Sequence, residues 1–168
     1  MDRQRRVYQP SEDSPSCRRP EFEWLAIFNC KIHHPAATLR RCVGLDCLIF
    51  QLLYAEEMTE SFFDFLVDEN YIFVRVGIDR DVEKLYDEYD LEVENTVDLR
   101  RLASKRMSRR KLRNAGLVYS ANEVLGMGHE KPKNITLSKW DKPWLSHKLV
   151  QYACIDGYLS YKIGRSLL

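Results

Sequence analysis

No apolar run in the sequence approaches the roughly 18 residues that a membrane-spanning helix needs, so no membrane partner is expected. There is no Gly-rich phosphate loop and no Ser/His/Asp arrangement, which argues against a nucleotide cradle and against a serine-hydrolase triad. The five cysteines are an odd number and form no CxxC pair, so a structural zinc site is not expected. Cys17, Cys30, Cys42, Cys47 and Cys154 are expected as reduced thiols of a nuclear or cytoplasmic protein. A charge excess is missing too: Lys+Arg number 26 and Asp+Glu 25, leaving a formal +1. Partners must therefore be read from where charges lie, not from their sum.

Residues 1–19 carry basic side chains without an apolar stretch behind them, so they are not expected to act as a secretory signal. Their polar composition predicts a mobile tail. Residues 20–168 are expected to form one domain, because 45% of the chain is apolar and its 168 residues suit a single core.

Strands are expected at 21–28 (EFEWLAIF), in a hairpin made by TLRRCV and CLIFQLLY around Gly44-Leu45-Asp46, at 71–78 (YIFVRVGI) and at the short NTVDL. TESFFDFLVD predicts a helix with a Thr cap. A second helix is expected after a cap at Asp79, a third from about Leu99, a short one over 117–125 that stops at Gly126, and a last one from near Ser146. Three antiparallel strands followed by alternating helices and strands indicate an α/β fold, a mixed sheet flanked by helices.

Acids fall where a strand or helix would rather have something else. Glu21 and Glu23 are two apart, so on a strand they aim the same way. A solvated strand edge would show the same alternation. Asp81 lies just after a strand and in the first turn of a helix, where the helix dipole alone favours an acid. Open α/β sheets also bind ligands at that end of their strands. Tyr152 and Asp156 are four apart and share a helix face with Leu149 and Ala153. That face points Asp156 inward, where a carboxylate needs a partner: a divalent cation or a buried hydrogen bond. Converging carboxylates suit hydrolysis of phosphodiesters by two Mg²⁺ or Mn²⁺ ions, which take oxygen ligands.

These stretches resemble the Werner-like 3′–5′ exonucleases, above all the small plant members of the superfamily named for four acids and a tyrosine. The resemblance covers about 20–168. Its first motif is matched by Glu21-Phe22-Glu23-Trp24, its second by Gly77-Ile78-Asp79-Arg80-Asp81-Val82-Glu83-Lys84-Leu85, and its third by Tyr152-Ala153-Cys154-Ile155-Asp156. Val97-Asp98-Leu99, Arg113-Asn114-Ala115-Gly116-Leu117 and Lys139-Trp140 also look like stretches of this family. The resemblance implies a ribonuclease H-like fold and a two-ion site in which Glu21, Glu23, Asp81 and Asp156 hold Mg²⁺ or Mn²⁺. Glu23, Asp81 and Asp156 would act there with Tyr152, which would position the attacking water. It implies a nucleic-acid substrate, DNA with a 3′ end.

The chain departs from the pattern at its first acid, which is Glu21 and not Asp, and at the start of its first strand. There Cys17-Arg18-Arg19-Pro20 replaces apolar residues, and proline cannot donate to a sheet ladder. Arg41 falls where the hairpin should bury an apolar side chain. Reduced hydrolysis is therefore expected, with an impaired paralogue that binds nucleic acid or protein as the alternative. Asp46, in Val43-Gly44-Leu45-Asp46, mimics a first motif, but Leu48 stands where its second acid would be.

Arg100, Arg101, Lys105, Arg106, Arg109, Arg110, Lys111 and Arg113 crowd one stretch with no acid among them. Arg109, Arg110, Lys111 and Arg113 are candidates for phosphate contacts, with a solvated helix face or a nuclear-import signal as the other readings. Trp140 and Trp144 could stack on a base or cover the core. His33 and His34 read as exposed loop residues.

Overall fold

The computed structural model describes residues 36–128 and 138–168, together with the backbone of two short strands at 21–23 and 26–28. The expected tail at 1–19, and His33 and His34, lie outside the described residues.

The stretch expected as one strand serves two sheets. Its first part, β1 (Glu21–Glu23), pairs in parallel with β5 (Tyr71–Arg75), and β5 pairs in parallel with β6 (Thr96–Asp98). Its second part, β2 (Ala26–Phe28), pairs antiparallel with β3 (Thr38–Val43), and β3 pairs with β4 (Asp46–Phe50). The antiparallel trio foreseen from the sequence is thus β2-β3-β4, and the parallel trio is β1-β5-β6. The hairpin turns at Gly44, whose φ of 59° lies in the left-handed region that tight two-residue turns need. β4 ends earlier than expected: Leu52–Tyr54 form a 3-10 turn.

Five α-helices complete the described structure: α1 (Glu60–Val67), α2 (Ile78–Tyr89), α3 (Leu99–Arg106), α4 (Leu117–Leu125) and α5 (His147–Leu167). Neighbouring side chains on a strand point to opposite faces, and β5 buries both of its faces. Phe73 packs in a core with Leu39, Leu66, Ile78 and Leu85, the side of α1 and α2. Val74 packs with Leu99, Leu117, Ala121, Leu159 and Ile163, the side of α3, α4 and α5. Each such fully buried aliphatic contributes about 1.5–3 kcal/mol. α5 approaches β5 closely through Gly164, where an added Cβ would lie 2.9 Å from Val74 Cγ2.

Several sequence expectations are corrected. Asp79 does not cap α2; Gly77 does, at φ 77°, and Asp79 pairs with Arg101 from the first turn. In the basic stretch α3 stops at Arg106 and a 3-10 turn covers Arg110–Asn114. The fully buried arginine of the hairpin is Arg40, while Arg41 is half-buried with its guanidinium 4.9 Å from the Phe65 ring centre. Both faces of β3 are covered, so a residue on either face can be buried. Cys42 and Cys47 are joined by a disulfide instead of being free thiols. They face one another across the hairpin with Cα atoms 4.2 Å apart, within reach of a disulfide. Cys154 is a free thiol, pushed above its usual range by burial, with Arg40 pulling the other way.

Candidate active site

The local sequence explains how the acids are presented. β5 ends at Arg75, Gly77 turns the chain in the left-handed region, and α2 begins at once, which puts Asp81 in its first turn. α5 starts at Ser146, whose hydroxyl accepts from the Leu149 N–H at 3.4 Å. From that cap, Leu149, Tyr152, Ala153 and Asp156 fall on the buried face at helical spacing. Tyr152 and Asp156 are 3% and 4% exposed, so their polar atoms act inside the protein and not in bulk solvent. Trp140 is fully buried, with its ring centre 6.2 Å from that of Tyr152, while Trp144 is 85% exposed. One tryptophan of the pair therefore covers the core and the other faces solvent.

Two arginines occupy the ground between these acids. Arg75 forms an ion pair with Asp81, both side chains being largely buried. Burial pushes the Arg75 guanidinium down to about 10; Asp156 and Asp98 oppose this and Arg100 reinforces it. At neutral pH Arg75 is therefore still a cation. Burial also lowers Arg40, against the pull of Asp156. Tyr152 acts electrostatically on both guanidiniums, and Arg40 also lies 5.2 Å from the centre of the Trp140 ring. Asp81 of α2 thus pairs with Arg75, and Asp156 of α5, distant in sequence, acts on the same guanidinium.

Glu21 and Glu23 belong to β1, whose register puts Glu23 opposite Phe73, two residues before Arg75. Their side chains lie outside the described residues.

Neither Arg40 nor Arg75 stood out in the sequence, although an arginine closing the apolar run Tyr-Ile-Phe-Val was the available signal. Asp98 was also missed. It faces Arg75 across the β5–β6 register and caps α3 by accepting from the Arg100 N–H at 2.9 Å. Burial raises its carboxyl, but Arg100, through side chain and backbone, and the Gly77 N–H together hold it below the usual carboxylate range.

Carboxylate oxygens are the donors that Mg²⁺ and Mn²⁺ take. Asp81 and Asp156 are the right kind of group, yet as placed they do not fit a pair of such ions. Asp81 is engaged by Arg75, and Asp156 lies in the fields of Arg40 and Arg75. Among the described residues no group of three or more His, Cys, Asp or Glu side chains gathers at a metal-binding distance.

The basic residues divide as well. Arg100 binds Asp98, Arg101 binds Asp79 and Arg109 binds Glu123. Arg110, Lys111 and Arg113 are exposed on the 3-10 turn that follows α3.

A parallel trio and an antiparallel trio of strands flanked by helices, with acids and a tyrosine at the end of β5 and on α5, form an arrangement of the ribonuclease H-like fold class. Residues 41–168 match the family model described as 3′-5′ exonuclease. The chain belongs to the 3′-5′ exonuclease family. It is 27% identical over 148 residues to a 3'-5' exonuclease of Arabidopsis thaliana, covering 88% of this chain and 51% of that protein. It is 30% identical over 111 residues to the human exonuclease 3'-5' domain-containing protein 2, covering 66% of this chain and 18% of that protein. The chain therefore spans about half, or less, of the length of these curated relatives. Among solved structures, Escherichia coli RNase D, an exoribonuclease involved in structured RNA processing, superposes with a TM-score of 0.73 at 14% identity. That match covers 89% of this chain and 39% of RNase D. Brucella melitensis NrnC superposes at 0.72 and 15% identity, covering 89% of this chain and 73% of that one. These two superpositions establish the fold.

Proposed function

We propose that the domain hydrolyses phosphodiester bonds from the 3′ end of nucleic acid in the presence of Mg²⁺ or Mn²⁺, with reduced turnover. The observation that carries this reading is that Arg75, paired with Asp81 of α2, also lies in the field of Asp156 of α5, an acid from a distant part of the chain. Family membership supports the reaction type. The arginine contacts support the reduced rate, since a carboxylate already paired with a guanidinium is a poor ligand for a second cation. The exposed Arg110, Lys111 and Arg113 would hold the phosphate backbone by charge. The substrate in this reading is DNA with a free 3′ end.

The test is a time course on end-labelled DNA and RNA duplexes with MnCl₂. Mononucleotides should appear from the 3′ end, slowly, and Asp156→Asn should abolish their release. Equal release by wild type and Asp156→Asn, or release from the 5′ end, would overturn the reading. The Arg75–Asp81 pair also favours a second reading, a module that binds nucleic acid without cutting it. Salt-dependent DNA binding with no products under any divalent ion would select that one.

A further inference from the structure

We propose that Arg75 is a built-in cationic competitor at this centre, holding Asp81 where a divalent ion would need it. The proposal deepens the exonuclease reading and rests on it for the identity of the acids. Three observations carry it. First, the Arg75 guanidinium is in direct contact with the Asp81 carboxylate, and their side chains are only 22% and 14% exposed. Such a pair is shielded from water and is not a loose surface contact. Second, Arg75 serves more than one acid: it feels Asp156 on α5 and Asp98 on the neighbouring strand β6. Third, arginines serve the acids of this region whose side chains are described: Asp81 has Arg75, Asp98 has Arg100, and Asp156 lies in the field of fully buried Arg40.

A divalent ion drawn to Asp81 would meet a guanidinium already on that carboxylate. Either Arg75 swings away or the ion stays out, because two cations crowded on one buried carboxylate repel. The contact is one of charge, Arg75 Nη1 against Asp81 Oδ2. Removing that cation, while keeping a side chain of similar reach, should hand Asp81 to the ion.

The experiment is a titration with MnCl₂ alone, followed by the paramagnetic resonance signal of free Mn²⁺ and by thermal shift. Wild type, Arg75→Gln and Arg75→Lys are compared, with folding verified by circular dichroism. Arg75→Gln should bind Mn²⁺ at least about tenfold more tightly than wild type, whereas Arg75→Lys, which keeps the cation, should not. Equal affinity in wild type and Arg75→Gln would overturn the proposal. So would wild-type binding on the order of 10 µM or tighter, which requires no variant to fold. Hydrolysis is scored separately. If Arg75→Gln gains Mn²⁺ yet releases no nucleotide, the competitor stands and the exonuclease reading falls. If Arg75→Gln gains no Mn²⁺ while wild type cuts from the 3′ end, the competitor falls and the exonuclease reading stands.

Discussion

Asp98 shows how much a single carboxylate can do in this fold. It closes β6, caps α3, accepts from the Gly77 N–H at 3.3 Å and binds the Arg100 side chain at 2.6 Å. Its carboxyl is held below the ordinary value of 3.8, so the sign of its pH effect follows. The stabilisation is complete above that value and is lost as pH falls through the lower, folded-state value. Unfolding free energy measured with denaturant should therefore drop on the acid side of pH 3.8. Asp98→Asn keeps a capping oxygen but not the charge. It should cost about 1 kcal/mol at neutral pH, a modest figure because Arg100 is partly exposed, and should flatten the acid slope. An unchanged slope would show that other acids set the acid limit. The sequence exposed Asp98 only as part of a family-like stretch, because its cap is visible locally but its role opposite Arg75 depends on strand register.

At the scale of elements, helices were the more legible. α4 spans Leu117–Leu125 as the apolar spacing and Gly126 imply, and α5 starts beside its Ser146 cap. Such signals are local, so a single sequence carries them. The strands were less legible where pairing decides. EFEWLAIF reads as one strand, yet β1 and β2 pair with different partners, and no local pattern encodes that division. The hairpin disulfide was hidden for a similar reason: Cys42 and Cys47 become neighbours only once the turn at Gly44 sets the register. The basic segment is a third case. Arg109 is drawn to Glu123 on α4, whereas Arg110, Lys111 and Arg113 stand out on the 3-10 turn. Replacing those three by Ala should lower the slope of log affinity against log salt by about 2–3 for duplex DNA, because each phosphate contact contributes nearly one unit. Arg109→Ala alone should change the slope less. Fluorescence anisotropy across a salt series measures both, and an unchanged slope in the triple variant would remove this turn from the interface.

The whole molecule is organised around its last helix. α5 packs on the β5 face through Leu159 and Ile163, approaches Val74 at Gly164, and carries both Tyr152 and Asp156. A chain ending at Ser146 would leave the Val74 side of the sheet uncovered and remove ten buried residues. That chain should show no cooperative thermal transition and should bind a hydrophobic dye, as expected of a collapsed state without fixed packing. A cooperative melt in the shortened chain would mean that the sheets and the first four helices are stable without α5. Three motifs in order marked the candidate acids in the sequence, but not the electrostatics around them, since Arg40 and Arg75 come into the field of Asp156 only when α5 packs on the sheets.

The Arg75–Asp81 contact joins residues on one strand and the helix that directly follows it. Arg75 is therefore tethered a few residues from the carboxylate it binds, and its effective concentration there is set by the chain and not by the solution. Short tethers give local concentrations in the millimolar range or above. A dissolved ion must exceed that level, or bind more strongly, to displace it. Occupancy of this centre by metal would then follow an ordinary saturation curve displaced to higher free-ion concentration by a constant factor.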